Sequence, residues 1–282
     1  MRCAWQAFIN LLPIWMRESV DKQGKDTLQE LRLRLNAPPE LVTGKGSLWL
    51  DRIVSAEDLH FCVNIASRYS PWTASTTQQG FITAPGGHRI GLCGCAVNTN
   101  GSLSGIHALT SLCLRVSRDF PGIAEAASGY TGSILIVGKP GSGKTTLLRD
   151  IIRQQSDRGQ GSIAVVDERQ EIFPHTNNRI CFPVGRHTDI LSGCKKTQGI
   201  EAVLRNMGPE TIAVDEITAK EDCEALLHAG WCGVRLLATA HAGSRQDLYN
   251  RPVYRPIVES SLFDTLLIMQ PDKSWKAERF NT

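Results

Sequence analysis

Val137-Gly138-Lys139-Pro140-Gly141-Ser142-Gly143-Lys144-Thr145-Thr146 runs from one apolar segment, Ser133-Ile134-Leu135-Ile136-Val137, into another, Thr146-Leu147-Leu148-Arg149-Asp150-Ile151-Ile152. The first is short and β-branched, which predicts a buried strand. The second carries apolar residues at helical spacing. Gly138 to Thr145 reads G-x-x-x-x-G-K-T, the phosphate-binding loop, in the strand–loop–helix setting that the motif needs.

The chemistry explains the spacing. A triphosphate is densely anionic, so many donors must converge on it. Glycines let successive backbone N–H groups turn inward without a Cβ clash. A helix starting near Gly143 adds unpaired N–H groups and the positive end of its dipole. The nucleotide-binding candidates are therefore Gly138, Lys139, Pro140, Gly141, Ser142, Gly143, Lys144, Thr145 and Thr146. Lys144 can place an ammonium between the β- and γ-phosphates, and the Thr145 hydroxyl can ligate Mg²⁺. The alternative, a Gly-rich turn that binds nothing, treats every fixed position of the motif as coincidence.

Downstream, strands and helices alternate, which predicts an α/β unit with a mostly parallel sheet covered on both faces. Strands are expected at Ser162–Val166, Thr211–Val214, Val234–Ala238 and within Phe263–Met269, with a helix over Glu221–Ala229 stopping at Gly230. In such sheets ligands gather beyond the carboxyl ends of the strands. Asp167-Glu168-Arg169, Asp215-Glu216 and Thr239-Ala240-His241 all fall at those ends.

Ile212-Ala213-Val214-Asp215-Glu216 has the Walker B pattern, with Asp215 to hold Mg²⁺ and Glu216 to polarise the attacking water. A positioned base contributes roughly 10²- to 10⁴-fold in rate. Asp167-Glu168 repeats the arrangement, so either Glu168 or Glu216 can orient the water; a structural pairing with Arg169 is the other reading of that segment. His241 can contact the γ-phosphate, or be a satisfied structural histidine. The catalytic candidates are Lys144, Glu168, Glu216 and His241. His88, His107, His175, His187 and His228 lack such a context. Arg169, Arg186, Arg205 and Arg251 are candidate phosphate or inter-subunit arginines, weighed against an ordinary solvated role.

The 282 residues leave room for two domains. Upstream of the loop, Leu28–Leu35 reads as a strand, and Leu41–Thr43 and Leu48–Leu50 flank a Gly44-Lys45-Gly46 turn. Ser55 and Asp58 form a capping box for a helix ending before Pro71. Gly80–Thr83 and Arg89–Cys95 flank a Pro-Gly-Gly turn, Asn98–Gly101 is a further turn, Leu112–Val116 is a strand, and a helix is expected over Ile123–Ala127.

The apolar fraction of 41% supports two cores. No run reaches the ~18 apolar residues of a membrane span. Met1–Met16 is apolar, with Trp5, Phe8 and Trp15, but Gln6, Asn10 and Pro13 interrupt it and no small-residue cleavage site follows, so a secretory signal fits poorly. A helix packed on its own domain is preferred to one lying on a membrane surface. Net charge is +3, and the basic residues are interspersed with acidic ones except near Arg32 and Arg34, so no nucleic-acid partner is expected. The nine cysteines hold one close pair, Cys93-Gly94-Cys95, without zinc spacing; free, mostly buried thiols in a reducing cytosol and no metal besides Mg²⁺ are expected.

The ordered series of motifs resembles the stage III sporulation protein AA family, akin to the type II and type IV secretion ATPases. It comprises the phosphate loop, Asp167-Glu168-Arg169-Gln170-Glu171-Ile172, Thr188-Asp189-Ile190-Leu191, Leu204-Arg205-Asn206-Met207-Gly208-Pro209, Ile212 to Ile217, Ala238-Thr239-Ala240-His241, Asp247-Leu248 and Arg251-Pro252. Glu30 to Arg34, Gly80 to Thr83 and Gly86 to Leu92 agree as well, so the resemblance spans about Leu28 to Met269. Val166, Gln170 and Lys195 stand where it leads one to expect glycine, serine and proline, and the tail after Met269 is short.

The turns at Asp119-Phe120-Pro121-Gly122 and Ser128-Gly129 place the domain boundary near Pro121 to Gly129. This gives a smaller N-terminal α+β domain, 1–125, read as a docking or oligomerisation module because it holds no catalytic constellation. It is followed by a P-loop domain, 126–282, which the resemblance implies is a RecA-like ATPase. The resemblance implies ATP and Mg²⁺ as cofactors and a homo-oligomeric ring, for instance a hexamer. It also implies a cytoplasmic motor, peripheral at the membrane through integral-membrane proteins of a channel complex linking mother cell and forespore. Asp167, Glu168 and the Thr239-Ala240-His241 segment match motifs that belong to the catalytic site in the secretion ATPases. The rival readings are an ATP-binding scaffold with little turnover and a nucleic-acid motor.

Overall fold

The structure, a computed structural model, describes residues 1–67, 80–99, 101–127, 129–176 and 179–280. Contacts divide it into two compact units, Met1–Asp119 with Pro174–Cys181, and Phe120–Phe173 with Phe182–Thr282. The division falls after Asp119 rather than at 125. The reason is Asp150, whose carboxylate accepts the N–H groups of Gly122 and Ala124 and so ties that segment to the second unit. The return of Pro174–Cys181 has a packing cause: Pro174 and Cys181 fill the space beside Gly87, whose φ of +80° suits the turn.

In the first unit, strands β1 (Leu28–Arg34), β2 (Glu40–Thr43), β3 (Gly46–Trp49), β4 (Phe81–Ala84), β5 (His88–Thr99) and β6 (Ser102–Arg115) form one antiparallel sheet in the order β3-β2-β1-β6-β5-β4. Leu28, Leu31 and Leu33 all face the core although the first spacing is odd, because a bulge between Leu28 and Glu30 absorbs the extra residue. Helix α3 (Ala56–Ser67) starts on the predicted capping box: Asp58 N–H donates to Ser55 Oγ at 3.2 Å, and Ser55 N–H donates to Asp58 Oδ2 at 3.0 Å.

The apolar N-terminus forms helices α1 (Trp5–Asn10) and α2 (Ile14–Asp21), with Pro13 between them. Phe8, Leu11, Leu12 and Met16 are buried in the same core as β1, so this segment packs on its own unit. His88 is buried there too, accepting Ser117 N–H at Nδ1 and donating from Nε2 to the Ala4 carbonyl, a bonding pattern that requires the neutral ring. Burial pushes its pKa down to about 4. The basic cluster is neutralised: Arg32 pairs with Glu30 at 2.8 Å and Arg34 with Glu40 at 2.7 Å. The ends predicted at Pro71 and at Asn100 lie outside the described residues.

The second unit holds strands β7 (Ile134–Val137), β8 (Ile163–Asp167), β11 (Thr188–Ser192), β12 (Thr211–Ile217), β13 (Arg235–Ala240), β14 (Thr265–Met269) and β15 (Trp275–Arg279) in the order β11-β8-β12-β13-β7-β14-β15. The two short strands His175–Thr176 (β9) and Arg179–Ile180 (β10) pair apart from it. All neighbours are parallel except β14 and β15. The helices include α4 (Lys144–Asp157), α5 (Lys196–Met207) and α6 (Lys220–Trp231). Helix α4 buries Leu147, Leu148, Ile151 and Ile152 with Ile134, Ile136, Ile163 and Val165, each side chain contributing about 1.5–3 kcal/mol.

Two expectations need correction. The helix over Ile123–Ala127 is only a 3₁₀ turn, Glu125–Ala127, preceded by Ala124, whose N–H donates to the Asp150 carboxylate; and α6 continues through Gly230 to Trp231. Val166 and Lys195 have physical accounts. Val166 packs against Gly199, where a Cβ would come within 2.4 Å of Val166 Cγ1. Lys195, at φ −58° and ψ 143°, occupies a backbone conformation native to proline.

Candidate functional site

The loop between β7 and α4 folds as its glycines dictate. Gly141 and Gly143 have φ of +73° and +100°, a region unfavourable to other residues. At Gly138 a Cβ would meet Ser142 Oγ at 2.5 Å and Met269 Cβ at 2.8 Å, so only glycine lets the loop lie against the end of β14. Ser142 Oγ is buried and has no hydrogen-bond partner among the described residues. Lys144 is 6% exposed and directs its three N–H groups to the Gly138 carbonyl at 3.0 Å, the Lys139 carbonyl at 3.1 Å and His241 Nδ1 at 3.0 Å. Burial lowers its pKa, opposed by the charges of Glu216 and Asp215.

The acidic strand end of β12 faces this loop although β13 lies between β12 and β7. The register of β12 on β13 slips between Val214 and Ile217, a bulge that sets Asp215 and Glu216 off the regular alternation. Asp215 then accepts the Thr145 hydroxyl at 3.1 Å, the buried Thr239 hydroxyl at 2.9 Å and its neighbour Glu216 N–H at 2.9 Å. Thr239, on the intervening strand, is the bridge. Glu216 Oε1 lies 2.7 Å from His241 Nε2. The His241 backbone N–H donates to the Tyr254 hydroxyl at 3.1 Å, which donates in turn to the Ile217 carbonyl at 3.2 Å.

The end of β8 divides its two carboxylates between different tasks. Asp167, 1% exposed, accepts the N–H groups of Glu171, Ile172 and Phe173 at 2.8–3.1 Å and thereby folds the following loop. Burial raises its pKa to about 6, against those hydrogen bonds and with the charge of Asp215. Glu168 pairs not with Arg169, which is exposed, but with Lys196 at 2.7 Å. Glu168, Lys196, Asp215 and Glu216 line one pocket with Asp167 and Thr218.

Chemically, the arrangement offers what a magnesium-bound polyphosphate needs. An orphaned hydroxyl and a buried ammonium held only by loop carbonyls and an imidazole are a donor set for phosphate oxygens. The Thr145 hydroxyl and Asp215 carboxylate, 3.1 Å apart, are hard oxygen donors of the kind that Mg²⁺ takes. Lys139, Pro140 and Gly141 are exposed along the loop rim, and Thr146 is half-buried.

Sequence reasoning missed Lys196, Asp222 and Tyr254. Lys196 follows Lys195 in an unremarkable polar stretch, and only the fold carries it to the end of β8. Of the arginines, Arg205 pairs with Glu201 one turn back on α5, and Arg251, just past the short helix Arg245–Asn250, pairs with Asp247 in it, whereas Arg169 and Arg186 are exposed and form no ion pair among the described residues. All nine cysteines are free, but only Cys62 and Cys223 are buried. Among the described residues no helix is long and apolar enough to cross a membrane.

The fold is that of RecA-like P-loop ATPases. The structure superposes on the ATPase DotB of Legionella pneumophila with a TM-score of 0.59 at 18% identity, covering 95% of this chain and 80% of that one. It superposes on the pilus retraction motor PilT, solved with bound ADP, with a TM-score of 0.58 at 14% identity, covering 91% and 78%. In sequence, the chain is 36% identical over 250 residues to the stage III sporulation protein AA of Bacillus subtilis, covering 85% of this chain and 81% of that protein. It is also 30% identical over 262 residues to the Arabidopsis thaliana protein SEEDLING PLASTID DEVELOPMENT 1, of which it spans 35%. The family model for sporulation stage III, protein AA matches residues 6–277, and with phosphate loop, acidic strand ends and histidine segment all in place, the chain belongs to the stage III sporulation protein AA family.

Proposed function

We propose that the chain binds ATP with Mg²⁺ in the crevice between the phosphate loop and the ends of β8, β12 and β13, and hydrolyses it to drive or assemble a membrane-spanning channel complex during sporulation. The observation that carries the reading is the junction at Asp215, which joins the Thr145 hydroxyl of the loop to the Walker B strand through one carboxylate.

In this reading the backbone N–H groups between Gly138 and Thr146, Pro140 excepted, and the Ser142 hydroxyl receive the phosphates, and the Lys144 ammonium leaves its carbonyl partners for them. Thr145 and Asp215 would hold Mg²⁺, which neutralises charge on the phosphate oxygens. Glu216, oriented by His241 Nε2 at 2.7 Å, acts as the base. Glu168, held by the Lys196 ammonium at 2.7 Å, orients the water. His241, bonded to both Lys144 and Glu216, is placed to register the γ-phosphate.

The chain works as a homo-oligomeric ring docked through its first unit on integral-membrane partners, with Arg169 or Arg186 reaching a neighbour's nucleotide. The peripheral, cytoplasmic placement follows from that docking.

Phosphate release by wild type is compared with Lys144→Ala, Glu216→Gln and Glu168→Gln. We expect Lys144→Ala to be inactive, Glu216→Gln to lose at least about 10²-fold and Glu168→Gln about tenfold. Near-background release by all four proteins would instead favour a nucleotide-binding scaffold. Light scattering with and without ATP and Mg²⁺ tests the ring; a monomer under both conditions overturns it.

A further inference from the structure

We propose that Lys196 is a positioning residue of the hydrolytic site, holding the Glu168 carboxylate in the pocket it shares with Asp215 and Glu216. The inference rests on the hydrolytic reading above and adds a residue that no part of the phosphate-loop or Walker B pattern contains.

Lys196 is the first residue of α5 and is only 8% exposed, a rare state for a lysine without a charged partner. Its Nζ lies 2.7 Å from Glu168 Oε2 at the end of β8 and 3.6 Å from Asp222 Oδ2 in the first turn of α6. Asp222 is itself fixed, since the same oxygen accepts the N–H groups of Thr218 at 3.0 Å and Ala219 at 3.2 Å. The ammonium is therefore anchored from behind by a capping carboxylate and reaches forward to Glu168. Three elements meet at one charge.

The location makes this more than a fold contact. Glu168 faces the field of Asp215 and Glu216 in the same pocket, and like charges favour its turning outward. Arg169 also lines this pocket, but it is exposed and makes no ion pair among the described residues, whereas Lys196 is buried and its Nζ contacts Glu168 directly at 2.7 Å, so Lys196 is the contact that opposes this turn. The pairing gives Glu168 a fixed acceptor geometry, with Oε2 held by Lys196.

The test uses the full chain with Lys196→Met, Lys196→Arg, Glu168→Gln and the Lys196→Met/Glu168→Gln pair, in steady-state phosphate release. Lys196→Met is expected to lower kcat about tenfold or more while KM for ATP moves less than about threefold; Lys196→Arg recovers part of the loss; and in the Glu168→Gln background Lys196→Met changes kcat less than about twofold. Wild-type kcat in Lys196→Met overturns the proposal, as does a loss of equal size with and without Glu168. If Lys196→Met does not fold, the double variant, which leaves no unpaired charge on β8, supplies the comparison: it must match Glu168→Gln. A wild type that turns over no faster than Lys144→Ala overturns the hydrolytic reading itself, an outcome separate from an active wild type indifferent to Lys196.

Discussion

Lys144 Nζ lies 3.0 Å from His241 Nδ1, and the same imidazole places Nε2 at 2.7 Å from Glu216 Oε1. An ammonium only donates, so Nδ1 accepts and Nε2 carries the proton given to Glu216. The ring is thus neutral and links the phosphate-loop lysine to the Walker B glutamate. The 3.3 Å approach of Nδ1 to the Gly138 carbonyl is then a contact and not a hydrogen bond.

Replacing this bridge separates binding from chemistry. His241→Ala is expected to change ATP affinity less than about threefold by calorimetry, because the loop amides and Lys144 remain. It should lower kcat by roughly ten- to a hundredfold, because Glu216 loses its orienting donor. An unchanged kcat would show that the ring is structural.

The metal roles proposed for Thr145 and Asp215 predict variants that differ in magnesium dependence. ATP binding measured with a chelator should be nearly the same in wild type, Thr145→Val and Asp215→Asn. On adding Mg²⁺, wild type should tighten about tenfold or more and the variants little. Equal tightening in all three would remove both residues from the metal site.

The contact between Val166 and Gly199 predicts a stability effect with an internal control. Gly199→Ala drives a Cβ to within 2.4 Å of Val166 Cγ1, a stiff β-branched side chain on a central strand. The expected cost is about 1–3 kcal/mol by urea denaturation, despite the better helix propensity of alanine. Adding Val166→Ala should recover most of it. A Gly199→Ala protein as stable as wild type would mean that α5 shifts freely away from β8.

His88 makes the first unit sensitive to acid. Its folded pKa, lowered to about 4, lies below the ordinary value of 6.5, so the unfolded chain binds the proton first as pH falls. Stability is fully present above pH 6.5 and is lost as pH falls toward 4, with a slope of at most about 1.4 kcal/mol per pH unit from this group. His88→Gln should be less stable at pH 7 and show a flatter decline across that window in thermal melts. An identical slope would assign the acid sensitivity elsewhere.

The local signals that proved legible are those whose physics is local. The phosphate loop is contiguous and its glycines are required by backbone sterics, so its setting between a strand and a helix follows from 133–152 alone. The capping box at Ser55 and Asp58 is likewise a four-residue device. The strand β11 enters only within the family resemblance. Helix α5 does carry a local signal, Ile200, Val203, Leu204 and Met207 at helical spacing. The Ala124 N–H ahead of the Glu125–Ala127 turn goes to Asp150, 26 residues on.

By itself the chain's order of residues determined the phosphate loop, the acidic strand ends and the alternation that makes a parallel sheet, because each depends on neighbours within a few positions. Only the tertiary structure decided which partner each carboxylate has. The bulge in β12 turns Asp215 toward Thr145, Asp167 is drawn into its own loop, and Glu168 meets Lys196 from another helix. Those pairings are set by strand order and helix packing, which bring together residues distant in the chain, so that Glu216 meets the His241 imidazole and Glu168 the Lys196 ammonium.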